Sequence, residues 1–343
     1  MTGISVTDIH DGLARYSRIT RQRIERHLTA GRPRQYLYDP MRDYLDRGGK
    51  GIRPALLLAT CEAFGRPCEA AAGAAAAVEM LHTAFLIHDD IEDDSSLRRH
   101  SPTLHAIHGL PLALNAGDAL ATLALDPIRQ DAGLGPRVRE LVTFELMTTI
   151  RHTTEGQALE LGWRRERIGD LAPIDYIALA GKKTCWYTTV LPIRLGAIIG
   201  SHGTAQLAAL SRFAFYLGLA FQTRDDLLDV EQRESPDKMP FDDIREGKHT
   251  LLLIHLLARA DDADRTWLRG FLGLHQRDRT PDDCTRVAGM LRGYGSVDYA
   301  RGFAEEMATA ARAEFARAYA QAPARTRLAF VRHMIDYMLQ REN

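Results

Sequence analysis

The sequence predicts an all-α protein, and three observations carry that expectation. Alanine and leucine dominate, strict alternation of β-branched residues is nearly absent, and apolar residues recur every three or four positions through most of the chain. In order, the spacing predicts helices over 7–30, 51–64, 68–93, 111–130, 137–162, 174–200, 205–231, 249–260, 281–294, 296–320 and 324–341. Breakers separate them: GRP at 65–67, SPT at 101–103, the Pro111 and Pro136 regions, ESPDKMP at 234–240 and QAP at 321–323. Pro192 falls inside 174–200 and predicts a kink, because proline lacks the N–H its turn needs. No glycine/serine linker, low-complexity tract or fixed-period repeat divides the chain, so residues 1–343 read as one domain.

Of the 343 residues, 45% are apolar, enough for a large core without disulfide or metal staples. Lysine and arginine number 44 against 45 acidic residues, which excludes a global basic footprint for nucleic acid or an anionic membrane; any basic site must be local. Cys61, Cys68, Cys185 and Cys284 lack CxxC spacing and read as reduced thiols. The opening MTGISVTDIHDGLARYSR is polar, and no apolar run approaches the roughly 20 residues of a bilayer span, so the expected setting is the cytoplasm.

The chemistry concentrates in two aspartate clusters. HDDIEDDS puts Asp89, Asp90 and Asp93 at the end of the apolar helix VEMLHTAFLI, where about 100° per residue spreads them over an arc of about 100°. One such cluster could be a solvated helix end, although acidic residues there oppose the macrodipole. FQTRDDLLDV repeats the geometry with Asp225, Asp226 and Asp229, again between apolar flanks. Six carboxylates gathered in a partly buried cavity repel one another unless cations neutralise them. Magnesium, which takes a few carboxylates plus water and phosphate oxygens, suits two facing clusters with a diphosphate between them.

Basic residues accompany the clusters. Lys50 and Arg53 lie in GGKGIRP, a glycine-rich turn entering a helix, which could cradle an anion or merely cap the helix. Arg98 and Arg99 follow the first cluster and offer guanidinium forks either to phosphate or to the neighbouring aspartates. Lys183 sits within GKKTCWYTT beside apolar residues, where a buried ammonium needs an anionic partner. Lys238 and Lys248 follow the second cluster in DKMPFDDIREGKHT.

These segments, in this order from about Gly48 to the Arg341 tail, resemble the trans-isoprenyl diphosphate synthase (polyprenyl synthetase) family. The resemblance implies a helical bundle around a central cavity. It implies that Lys50, Arg53, His82 and Arg99 hold the diphosphate of isopentenyl diphosphate, and that the six aspartates hold magnesium, three ions in all. Arg98, Lys183, Lys238 and Lys248 would hold the allylic diphosphate, with Thr184 of the Lys-Thr pair and Gln222 of FQTRDDLLD beside the reacting carbon. EGQALE resembles the family's Gly-Gln motif at Gly156 and Gln157, with Glu160 where aspartate is usual. The chain also departs from the pattern at His100, at Cys185, and in PFDD, which lacks the usual glycine before Asp243.

The implied reaction is electrophilic alkylation: the allylic diphosphate leaves and the isopentenyl double bond attacks the resulting cation. A terpene cyclase on the same scaffold would have little need for Lys50, Arg53, His82 and Arg99, and a non-catalytic subunit would show degenerate aspartate motifs. The helix before Asp89 should wall the tunnel that receives the growing tail, with Phe85 one turn and Leu81 two turns away and Ala84 small. In the family, bulk at both the fourth and fifth positions before the first aspartate goes with farnesyl products. Bulk here at Phe85 alone therefore puts geranylgeranyl diphosphate ahead of farnesyl diphosphate, with Ala84→Phe expected to shorten the product. The family's pairing through helices, and the apolar LPLALNAGDALATLAL at 110–125, predict a homodimer.

Overall fold

The computed structural model describes residues 6–28, 32–99, 101–231, 241–324 and 327–339. Helix α1 (Val6–Leu28) and α2 (Asp39–Asp46), the latter preceded by a π-helical turn at Arg34–Tyr38, lead to α3 (Ile52–Ala63) and α4 (Ala72–Glu92). A two-residue antiparallel hairpin, Leu97–Arg98 against Ser101–Pro102, follows. Next come α5 (Leu104–His108), α6 (Leu110–Leu123), α7 (Asp126–Arg129) and the long α8 (Pro136–Glu166). Helix α9 (Pro173–Ala180) runs through a π-helical stretch, Gly181–Val190, into α10 (Leu191–Gly200) and then α11 (Leu207–Glu231). The chain ends with α12 (Asp242–Glu246), α13 (Leu251–Arg259), α14 (Asp262–Leu272), α15 (Pro281–Gly293), α16 (Ser296–Ala318) and α17 (Leu328–Leu339). The fold is all-α, as composition and spacing predict.

Four helices escaped the sequence pattern: the five-residue α5 and α12, and α2 and α14. The eight-residue α2 is too short for periodicity to register, and buries only Pro40, Met41 and Tyr44. The polar α14 is started by its cap, the Asp261 carboxylate accepting from the Asp264 N–H at 2.9 Å. Pro192, where a kink is expected, stands in the first turn of α10 directly after the widened stretch, so its missing N–H and its ring fall at a change of helical pitch.

The main core joins α1, α3, α4, α6, α10 and α17, whereas a second cluster lies among α9 and α13–α16. Helix α11 serves both, giving Phe213 and Leu217 to the first and Leu219, Leu227 and Val230 to the second. One expectation needs correction. Cys68–Glu92 is long and apolar enough to cross a membrane by length and composition, but 78% of its apolar window is buried inside the fold, as in a core helix. Ala84 of this segment is fully enclosed in the main core.

One close approach sets the site. A Cβ at Gly156 on α8 would collide with the backbone of Lys183, so glycine lets the π-helical stretch lie against α8. That contact carries Lys183 to the C-terminal end of α4.

Candidate active site

The first cluster occupies the last turn of α4, and each carboxylate has its own partners. Asp89 lies 3.4 Å from the Lys183 ammonium and 3.6 Å from Arg98, and accepts from the Gln157 amide at 3.3 Å. Burial opposes its charge, but Lys183, Lys248 and Arg98 outweigh burial and hold it below the usual carboxylate range. Asp90 turns toward α2, where the Tyr44 hydroxyl donates to one oxygen and Arg98 Nε donates to the other at 2.7 Å. Burial wins there, pushing Asp90 up to about 6 against the pull of Arg98. Asp93, the C-cap of α4, has Arg164 at 2.5 Å on one oxygen and Lys248 at 3.2 Å on the other.

On α11, Asp226 accepts from the Tyr176 hydroxyl at 2.8 Å and from the Gln222 amide at 2.7 Å. Burial first and Asp243 second raise it to about 8. Asp229 accepts from the backbone N–H of Asp243 at 3.3 Å, and half-buried Asp225 lies on the same turn. Lys248 links the clusters: besides Asp93, its ammonium meets Asp243 at 3.5 Å and pairs closely with Glu246. Burial lowers its pKa, but these carboxylates overcome that and raise it well above the ordinary value, so it stays charged. A narrow pocket between Asp226, Asp229, Asp243 and Lys248 lies at this junction.

Lys183 has the anionic partner that its burial demands, Glu160 at 2.6 Å, and Thr184 beside it is buried. A separate basic cluster lies beyond. Arg53 donates to His82 at 3.1 Å and to the Thr188 hydroxyl at 2.9 Å, with its guanidinium 4.5 Å from the Tyr187 ring centre. Burial, then Arg53 and Arg99, push His82 well below its ordinary pKa, leaving it neutral and able to accept. Gly48 and Gly51 take positive φ in the turn before Arg53, where side chains are strained. Gly49 leaves room for the Arg99 guanidinium, and Lys50 is exposed on the same loop. A cavity of about 380 Å³ borders this loop and Glu79. Phe85 is half-buried and meets Tyr187 edge-on at 5.8 Å. Lys238 lies outside the described residues.

Among the described residues no three acidic, histidine or cysteine side chains converge to hold an ion unaided. The donor set nevertheless fits magnesium: hard carboxylate oxygens on two helix ends, one or two per ion, the rest of each shell left to water and phosphate. Sequence reasoning missed Tyr44, Tyr176, Tyr187 and Arg164. Only Arg164 had a local signal, standing seven residues after Gln157 and four after Glu160 on the same stripe of α8.

The sequence signature described as Polyprenyl synthetase matches residues 34–291. A short chain isoprenyl diphosphate synthase of Methanothermobacter thermautotrophicus is 34% identical over 337 residues, 98% of this chain and 99% of that protein. A geranylgeranyl diphosphate synthase of Sulfolobus acidocaldarius is 34% identical over 272 residues, covering 79% and 81% of the two chains. The crystal structure of geranylgeranyl pyrophosphate synthase from Corynebacterium glutamicum, complexed with isoprenyl diphosphate and magnesium, superposes with a TM-score of 0.85 at 27% identity, covering 96% and 99%. Match, coverage and fold agree with the paired aspartate helices, and the chain belongs to the polyprenyl synthetase family of trans-prenyltransferases.

Proposed function

We propose that this chain condenses isopentenyl diphosphate with an allylic diphosphate, giving geranylgeranyl diphosphate ahead of farnesyl diphosphate. The observation that carries the reading is the separation of two polar centres. One mixes carboxylates with Lys183, Lys248 and Arg98; the other is basic, built on Arg53, Arg99 and neutral His82 beside the glycine turn. Two diphosphates need two sites, and a cyclase needs one. The complete aspartate motifs likewise speak against a non-catalytic subunit.

In this reading Asp89, Asp90, Asp93, Asp225, Asp226 and Asp229 hold three magnesium ions, which when bound supply positive charge to the leaving diphosphate. Lys183, Lys248, Lys238 and Arg98 grip that diphosphate as its C–O bond breaks and the electron pair leaves with it. Lys50, Arg53, His82 and Arg99 fix isopentenyl diphosphate so that its double bond attacks the allylic carbon. The Gln222 amide N–H is taken by Asp226, so its carbonyl oxygen is the end that can meet positive charge, a role shared with Thr184. The proton lost in the final elimination goes to the released diphosphate.

The chain works as one domain, since α11 contributes to both cores, and as a homodimer. Leu110 and Leu114 on α6 and Phe144 and Met147 on α8, each 47–62% exposed, support pairing. Four buried, unbridged cysteines support a reducing, cytoplasmic setting. The test is to incubate purified protein with magnesium, isopentenyl diphosphate and each allylic starter, then identify the dephosphorylated products. A lengthened prenyl alcohol supports the reading. A cyclic hydrocarbon formed without isopentenyl diphosphate overturns it.

A further inference from the structure

Asp93 occupies a costly place: it is 1% exposed, and it caps the C-terminus of α4, where the helix dipole disfavours negative charge. Two cations answer it, one on each oxygen. Arg164 Nη1 lies 2.5 Å from Oδ1 and Lys248 Nζ lies 3.2 Å from Oδ2.

The two cations are not alike. Lys248 is shared among Asp93, Asp243 and Glu246, a compact ammonium on a flexible stem that can change partners. Arg164 stands on the last turn of α8, with a guanidinium that cannot lose its charge. Its helix is fixed by neighbours on the same stripe: Gln157 reaches Asp89 and Glu160 holds Lys183. The side chain is 16% exposed, so solvent screens the pair poorly.

We infer that Arg164 is a positioning residue that holds one oxygen of Asp93 permanently. It thereby leaves a single oxygen to pass between Lys248 and a divalent cation, and keeps the first cluster's affinity for that cation low until a diphosphate draws Lys248 away. The inference rests on the reading of Asp93 as a cation ligand.

Manganese titration of the full-length protein, read by the electron-spin signal of free Mn2+ with and without inorganic diphosphate, tests this. Arg164→Met should bind Mn2+ without diphosphate on the order of tenfold more tightly than the wild type, because a nearby positive charge is gone. Added diphosphate should then improve affinity less in the variant than in the wild type. Arg164→Lys, which keeps the charge, should follow the wild type. A Met variant with native circular dichroism and unchanged or weaker Mn2+ binding overturns the inference. If Arg164→Met does not fold, Arg164→Gln, which also removes the charge, decides: Mn2+ binding without diphosphate on the order of tenfold tighter than in the wild type supports the inference, and unchanged or weaker binding refutes it. Asp93→Asn separates the two levels of the argument. Unaltered Mn2+ binding there, with or without diphosphate, removes Asp93 from the cation site and sinks the underlying reading, whatever Arg164 does.

Discussion

Replacing Phe85 with alanine probes the length of the product. Phe85 lies one turn before Asp89 on α4, half-buried, with its ring edge-on to Tyr187 at 5.8 Å. A helical turn rises about 5.4 Å, close to the length of one isoprene unit, so removing the ring should deepen the tunnel by about one unit. Tyr187 is held by the Arg53 guanidinium 4.5 Å from its ring centre, which limits how far it can collapse into the space. The lost aromatic pair costs about 1 kcal/mol and the lost burial of a half-exposed ring about as much again, so the variant should remain folded. The assay gives one allylic starter and excess isopentenyl diphosphate to wild type and variant, dephosphorylates the products, and separates the alcohols by chain length. The distribution should shift toward alcohols one isoprene unit longer. A folded, active variant with an unchanged distribution would refute the assignment of this wall to α4, and the preference for geranylgeranyl diphosphate would go with it. Ala84→Phe, by contrast, puts a ring into packed core and should lower stability by about 1–3 kcal/mol whether or not it shortens the product.

Asp89→Ala and Asp225→Ala should each collapse turnover while leaving circular dichroism native, since each removes a cation ligand worth several kcal/mol at the leaving group; near-normal turnover of Asp225→Ala at saturating magnesium would exclude the second cluster. Lys50→Ala and Arg53→Ala should raise the KM for isopentenyl diphosphate more than that for the allylic substrate, and equal increases would point away from a dedicated second site. Without metal, burial raises Asp90 to about 6, Glu246 to about 7 and Asp226 to about 8, so the folded state keeps protons that the unfolded chain releases near pH 4. Buried, neutral His82 works the other way below its ordinary value of 6.5, so stability of the metal-free protein should fall as pH rises from about 6.5 to 8, where Glu246 and Asp226 lose their protons, and magnesium should restore more of it at pH 8 than at pH 6.5. Melting curves with and without magnesium measure this, and a metal-free melting temperature that rises over that range contradicts it.

What the sequence revealed was whatever lies in one continuous segment. Both aspartate clusters, the glycine turn and the Lys-Thr pair announce themselves because spacing along a single helix or loop fixes their geometry. Their partners come from far away: Tyr44 reaches Asp90 across 46 residues and Tyr176 reaches Asp226 across 50, and no local pattern marks either tyrosine. Arg164 was readable in principle, because helical spacing from Gln157 and Glu160 aligns it with the first cluster, but an arginine near a helix C-terminus has an ordinary explanation in the macrodipole. Pro192 signalled an irregularity without revealing its form, since a missing N–H says that a turn must adapt and not how.

The widened stretch Gly181–Val190 places a restraint on chain length rather than on composition. Lys183 on Glu160, Tyr187 beneath Arg53 and Thr188 accepting from Arg53 all hang from these ten residues. A deletion that tightened the stretch into an ordinary α-helix would rotate everything after it by about 100° relative to everything before it, and these contacts could not all survive. Single-residue deletions anywhere in the segment should thus be equivalent to one another in effect. In a library of variants, this segment would be recognised by its intolerance of frame-preserving gaps.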